Sequence, residues 1–246
     1  MVMDNALMLG LQTQRVLQRR LDVAANNLAN VNTSGFKADD LITEEIDDTG
    51  ASADIDPTNI RFVRDIGLGR DMTQGEIAHT ANPLDVAIEG SGFFMVQGPN
   101  GQTMYTRDGA FHLTGDGQLV TADGRPVLNS GGAPITIESD TGESPQIGRD
   151  GAITVAGNEA GRLGVVTFAA PGALSKVGDN LWDAHGQQSQ AFEGVVEQGA
   201  LEGSNVRPVV EITRLIEISR AYQSAAQFVA NADSLRQRAI QTLGQA

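Results

Sequence analysis

Read in sevens, the opening of the chain sets Leu7, Gln14, Leu21 and Leu28 in alternation with Met3, Gly10, Leu17, Ala24 and Val31. Leu11 and Ala25 lie beside this row and polar residues fill the rest. Apolar positions at alternating three- and four-residue steps predict a helix over 4–32 with a narrow seam that a single helix cannot bury against itself. The far end of the chain offers a partner. From Val206 to Leu243 there is no glycine, and the single proline, Pro208, stands where a first helical turn tolerates it. Leu215, Ile218, Tyr222, Ala225, Val229, Ala232, Ala239 and Leu243 make one stripe, widened by Ile212, Ala221, Ala226, Phe228, Leu235 and Ile240. Ser204 or Asn205 can cap its start and Gly244 closes the pattern. One stripe pairs with the first helix, which leaves apolar surface for neighbouring chains. The alternative is a two-helix hairpin closed within a globular domain.

Between the helices the period changes. Residues 38–60 carry Asp39, Asp40, Glu44, Glu45, Asp47, Asp48, Asp54 and Asp56 with no lysine or arginine, which predicts an extended acidic linker or loop over 38–79. These acids match no calcium-loop spacing. From about Thr80, Asn100-Gly101, Asp108-Gly109, Asp116-Gly117 and Asp123-Gly124 recur at short intervals, each a favoured two-residue hairpin turn. Short β-branched and aromatic runs separate them, and Asp150-Gly151 adds a turn before the apolar run 163–168. An antiparallel meander over 80–203 is the expectation. The fold class expected is therefore α+β: long N- and C-terminal helices forming a coiled-coil-like layer, with a central antiparallel β-rich domain. The expected domains are 1–37 for the first helix, 38–79 for the linker, 80–203 for the β region and 204–246 for the helix that completes the helical domain.

The densest signal is the run from Asn26 to Lys37. Asparagine competes for backbone hydrogen bonds and weakens a helix, yet Asn26, Asn27 and Asn30 stand beside Leu28 and Val31. Amides placed there suit a hydrogen-bonded contact with another helix, with an ordinary capped helix end as the plain alternative. Gly35 supplies the positive φ of a helix exit, Phe36 anchors the turned chain, and Lys37 faces the carbonyl end of the helix dipole.

Charge and chemistry narrow the function classes. The net charge of −14 argues against nucleic acid, and Arg15, Arg19 and Arg20 read as one solvated helix face. No cysteine is present, and His79, His112 and His185 are far apart with no metal-ligand spacing. Gly90-Ser91-Gly92 lacks the nucleophile-elbow spacing, and the glycines of 115–124 are placed for turns rather than for phosphate. No catalytic residue, metal site, cofactor or small-molecule substrate is therefore expected. No apolar run approaches the length of a membrane span. The opening, with Asp4 and Asn5 and no basic leader, does not read as a cleavable signal peptide.

The string Ala25-Asn26-Asn27-Leu28-Ala29-Asn30, followed by Thr33-Ser34-Gly35-Phe36-Lys37, resembles the N-terminal signature of the bacterial flagellar axial proteins, the family of rod and hook subunits. The stretches Leu84 to Phe94, Tyr105 to Gly109, Gly117 to Val120, Ile147 to Gly151, Ser204 to Val206 and Arg220 to Gln223 resemble the same family in the same order. The opening Met3 to Leu7 and the modest length are most similar to its proximal-rod members. The resemblance implies a structural subunit of the basal body that joins the axial tube by helix packing. Its partners are copies of itself and proximal and distal rod subunits, and it lies in the periplasmic rod after export without a cleaved signal. Leu7, Leu17, Leu21 and Leu28 with Leu215, Ile218, Tyr222, Val229 and Leu243 carry the helical contacts in this reading, Asn26, Asn27 and Asn30 set register, and Gly35 and Phe36 end the helix. A distal rod or hook subunit is the first alternative. A secreted β-rich binding module on an oligomerising helical stalk is the second.

Overall fold

A computed structural model describes residues 2–47, 61–137, 144–178 and 180–243. The chain divides into two compact units. Unit 1 comprises Met1–Ala29, Asp39–Arg70 and Arg207–Ala246, and unit 2 comprises Asn30–Ala38 and Asp71–Val206.

Unit 1 holds helix α1 (Val2–Ala29), strands β1 (Asp39–Asp47) and β2 (Arg61–Arg70), and helix α2 (Pro208–Leu243). The first helix ends three residues before the expected Asn32, because the chain leaves it in the turn Thr33 N–H to Asn30 O, 3.2 Å. Pro208 opens α2, and Glu211 N–H donates to the Arg207 carbonyl at 3.1 Å. Arg207 is thus the cap position, not Ser204 or Asn205. The acid-rich stretch read as a linker instead carries β1, paired antiparallel to β2 with a register shift between Ile42 and Thr43. Leu41, Ile42 and Ile46 give it strand character, and the register sets Asp39 opposite Arg70, Glu44 opposite Arg64 and Asp47 opposite Arg61. Arg70, from beyond the acidic run, brings its Nε to 3.5 Å from Asp39 Oδ1, a countercharge that the run itself does not contain. Asp48, Asp54 and Asp56 lie outside the described residues.

Unit 2 holds short strands. They are β3 (Ile77–His79), β4 (Val86–Glu89), β5 (Gly92–Gln97), β6 (Thr103–Thr106), β7 (Phe111–Leu113) and β8 (Leu119–Thr121). There follow β9 (Gln146–Ile147), β10 (Ala152–Val155), β11 (Asn158–Arg162), β12 (Val165–Thr167), β13 (Ser175–Lys176) and β14 (Leu181–Asp183). The last are β15 (Gln190–Ala191), β16 (Val195–Gln198) and β17 (Ala200–Glu202). The largest sheet has the order β13-β14-β6-β5-β12-β15, a second has β11-β10-β9, and β16-β4, β17-β3 and β7-β8 are separate pairs. Val86, Ile88, Phe94, Met104, Phe111 and Leu119 belong to the main core, and Phe93, Phe168, Leu174 and Trp182 make a second. Phe94 meets Phe111 edge to face at 5.1 Å between ring centroids.

The expected fold class is corrected on two counts. The described residues contain two α-helices, and the coiled-coil layer is only partly formed: along α1, Gly10 and Ala24 are buried, but Leu17, Leu21 and Leu28 are half-buried and Leu11 is exposed. The β region is not one meander but several small antiparallel sheets. Local hairpins such as β5–β6 leave open edges, and β12 and β14 arrive from far along the chain to pair with them. The turns themselves follow the sequence at Asn100-Gly101 (φ 65° and 76°), and Gly117, Gly124 and Gly151 all take positive φ. Asp108-Gly109 departs from it. A Cβ on Gly109 would stand 1.7 Å from the Val86 carbonyl oxygen, so this glycine serves close backbone approach rather than a hairpin turn.

Candidate assembly surfaces and the docked exit loop

In unit 1, α1 packs along α2. Gly10 admits the partner helix, since a Cβ there would lie 2.6 Å from Val229 Cγ2. From α2, Ile218 is buried, and Leu215, Tyr222 and Val229 are half-buried on the same side. The side chains of Leu7 and Leu243 lie outside the described residues. Between the two helices and β1 lies a groove of 320 Å³ lined by Arg20, Val23, Ala24, Leu41, Arg214 and Ile218. Asn26 is exposed, whereas Asn27 is buried and turned inward: its Nδ2 donates to Asp39 O at 2.8 Å and its Oδ1 accepts from Asp39 N–H at 3.0 Å. This amide pairs with backbone of its own unit as a strand neighbour would. Asn30 accepts from Thr33 Oγ1 at 3.2 Å.

Two apolar rows of α2 remain open. Val209 (77% exposed), Ile212 and Ile216 are spaced three and four apart and share one face. Phe228 (54% exposed) and Leu235 are seven apart and share another, turned by about 120° from the first at about 100° per residue. Val209 and Ile216 are not in the stripe read from the sequence, whereas Ile212, Phe228 and Leu235 are among the residues that widen it.

Unit 2 contains the loop that follows α1 in sequence. Gly35 has φ 66°, and a Cβ on it would meet the Arg107 carbonyl carbon at 2.5 Å. Its N–H donates to Glu202 O at 2.8 Å. Phe36 is buried, with the Lys176 ammonium 3.9 Å from its ring centroid. Lys37 is 0% exposed. Its Nζ donates to Glu202 Oε1 at 2.5 Å and to Thr73 O at 2.6 Å. The other oxygen, Oε2, accepts from Arg107 Nη1 at 3.0 Å, and Gly75 N–H donates to Oε1 at 3.0 Å. Two cations therefore share one buried carboxylate. Burial lowers the basicity of Lys37 and of Arg107, against the pull of Glu202 on both. Arg107 Nε is buried without an acceptor, and its guanidinium stands 5.0 Å from the Phe93 ring centroid. Lys37 thus answers a distant carboxylate rather than the end of the α1 dipole.

The flanks of the loop are equally tied. Ser34 Oγ donates to Asp108 Oδ1 at 2.7 Å, and Asn180 Nδ2 donates to Ser34 O at 2.8 Å. Burial raises the Asp108 pKa, opposed by the hydrogen bonds from Ser34 and from Ala110 N–H. Asn205 Oδ1 accepts from Ala38 N–H at 2.8 Å, and its Nδ2 donates to Asp71 O at 2.8 Å. Glu202, Arg107, Asp108, Asn180 and Asn205 had no assigned partner in the sequence. The one available signal was Glu202 closing the otherwise apolar strand Ala200–Glu202.

The histidines stay apart in the fold. His79 Nδ1 lies 3.7 Å from Glu197 Oε1, His185 Nδ1 lies 3.8 Å from Asp183 Oδ2, and His112 is exposed on β7. No described helix is long and apolar enough to cross a membrane.

Three family descriptions match this chain. The flagella basal body rod protein matches residues 7–37, the flagellar hook protein FlgE/F/G D1 domain matches 87–155, and the flagellar basal body rod FlgEFG protein C-terminal matches 197–242. The chain is 42% identical over 244 residues to the flagellar basal-body rod protein FlgF of Caulobacter vibrioides, covering 98% of this chain and 99% of that protein. It is 33% identical over 246 residues to FlgF of Mesorhizobium japonicum, with 98% and 99% covered. It is 35% identical over 265 residues to the flagellar basal-body rod protein FlgG of Bacillus subtilis, with 97% and 98% covered.

Proposed function

We propose, on the premise that this chain belongs to the family of flagellar basal-body rod proteins, that it builds the proximal part of the rod. As a member of that family it is a structural subunit of the flagellar basal body. Its work is assembly rather than catalysis. Leu17, Leu21 and Leu28 with Leu215, Ile218, Tyr222 and Val229 hold α1 to α2, and the open rows of α2 receive neighbouring subunits. Two rows facing different directions suit head-to-tail contacts that do not close, so that each added subunit leaves a fresh surface for the next and a tube propagates. The neighbours are copies of this chain and other proximal and distal rod subunits. In this reading the protein is exported without a cleaved signal peptide and lies in the periplasmic rod, where the tube transmits torque and passes distal subunits.

The observation that supports assembly through α2 is the pair of exposed apolar rows left after α1 has covered a third face. Phe228→Glu tests it. Phe228 is 54% exposed, so its loss should leave the melt of the purified chain nearly unchanged. A charge on that row should abolish swimming and remove the protein from purified basal bodies. Normal swimming with normal incorporation would sink the proposal. A second reading, a subunit at another level of the same axis, is supported by the similarity to FlgG. Counting copies per purified basal body separates the two.

A further inference from the structure

We infer that residues 33–38 form a separable strap that docks into a preformed site on unit 2, with the Glu202 carboxylate passing from one cation to two as the strap closes. The strap is fastened almost wholly by residues distant in sequence. Ser34 reaches Asp108, Gly35 and Lys37 reach Glu202, and Ala38 reaches Asn205. Asn205 N–H returns a bond to Phe36 O at 3.3 Å. Without the strap the site keeps its own charge balance, because Glu202 retains Arg107 Nη1 at 3.0 Å and Gly75 N–H at 3.0 Å. The open state therefore strands no buried carboxylate. The closed state gains the burial of Phe36 and the hydrogen bonds of Lys37, but places a second cation on a carboxylate already paired. Burying an ammonium is costly even beside a countercharge, which offsets part of that gain and leaves closure poised rather than locked. The core of unit 2 does not share this balance. The backbone bonds Leu119 N–H to Ile135 O and Val127 N–H to Leu119 O, both 2.9 Å, lie among fully apolar neighbours.

Opening of this kind is local unfolding of a defined segment, and amide exchange reads it directly. The full chain would be followed by hydrogen–deuterium exchange, comparing the strap amides of Gly35 and Ala38 with the core amides of Leu119 and Val127. The strap amides should exchange together and at least tenfold faster than the core. In Gly35→Val, whose Cβ would meet backbone at 2.5 Å and whose φ of 66° suits glycine, the strap amides should speed up at least a further tenfold while the core amides keep their rates. Phe36→Ala, which removes the anchor without backbone strain, should act in the same direction. A single common rate for strap and core in the unaltered chain would overturn the proposal. So would equal acceleration of both sets in the two variants.

Discussion

Replacing Glu202 by glutamine removes charge and leaves shape. In the native protein Glu202 is fully buried and holds Lys37 Nζ at 2.5 Å and Arg107 Nη1 at 3.0 Å, with those two side chains 0% and 3% exposed. Glutamine fills the same volume, so no cavity forms, but two cations are left buried without a countercharge. Removing one partner of a buried ion pair costs about 3–5 kcal/mol; Arg107 is stranded in full, while opening of the strap limits what Lys37 adds, which puts Glu202→Gln at about 5. That is a third or more of the stability of an ordinary domain, about 5–15 kcal/mol. Lys37→Met should behave differently. It relieves the surplus cation and leaves Glu202 and Arg107 matched one to one; it gives up the bonds to Glu202 Oε1 and Thr73 O, a loss that the relief of a buried ammonium offsets to about 1 kcal/mol. Methionine has a similar length and fits the apolar path of the lysine stem, so the variant should fall within about 1 kcal/mol of the native chain. Urea unfolding followed by the emission of Trp182, the sole tryptophan and fully buried in unit 2, measures both. If Lys37→Met were as destabilising as Glu202→Gln, the carboxylate would be serving Lys37 rather than Arg107, and this charge accounting would be refuted.

Leu21→Glu places a charge in the half-buried row of α1 and should abolish swimming, whereas Gln18→Glu on the exposed face should swim normally; motility assays with fractionation compare them. Gly109→Ala sets a methyl where only 1.7 Å separates the Cβ position from the Val86 carbonyl oxygen, so unit 2 should lose about 3 kcal/mol or more, seen as a lowered urea midpoint; an unchanged midpoint would show that this close approach relaxes freely. Asp108→Asn should raise the melting temperature at neutral pH. Burial lifts the folded carboxyl's pKa above its ordinary 3.8, so the native chain holds that proton more tightly when folded and loses stability as pH rises through the raised value. Asparagine does not titrate, and the gap between variant and native melts should close below that ordinary pKa. A gap independent of pH would mean that Asp108 acts through shape alone.

Helix positions were legible because they depend on spacing within one element. The rows at Leu17, Leu21 and Leu28 and at Leu215, Ile218, Tyr222 and Val229 follow directly from the helical period; in the structure Ile218 is buried and the other six are half-buried. The extent of their burial did not follow. A heptad row says which side faces a partner, not how much of that partner one chain supplies, and Leu11, Phe228 and Leu235 remain exposed in a single chain. The turns at Asn100-Gly101 and Asp116-Gly117 were legible for the same local reason. Which strands those hairpins join was not, since the β5–β12 and β6–β14 pairings bridge long stretches of chain with no pattern to announce them.

The run from Asn26 to Lys37 marks the limit most clearly. Its residue types pointed to polar contacts, and polar contacts are what they make, but the partners lie elsewhere than local reasoning placed them. Asn27 pairs with the Asp39 backbone, and Lys37 with a carboxylate 165 residues away. A lysine a few residues past a helix and a lysine sealed in a core look alike in sequence, because burial is decided by what the rest of the chain brings to meet it. Glu202 carries the matching signal in a weak form: an acid closing a short strand between Ala200, Leu201 and Gly203, where a solvated residue and a buried countercharge are equally plausible in isolation. Only the pairing of the two removes the ambiguity. A buried cation needs a buried anion, and the docked loop is where unit 2 brings the chain before β1 and the end of its last strand together.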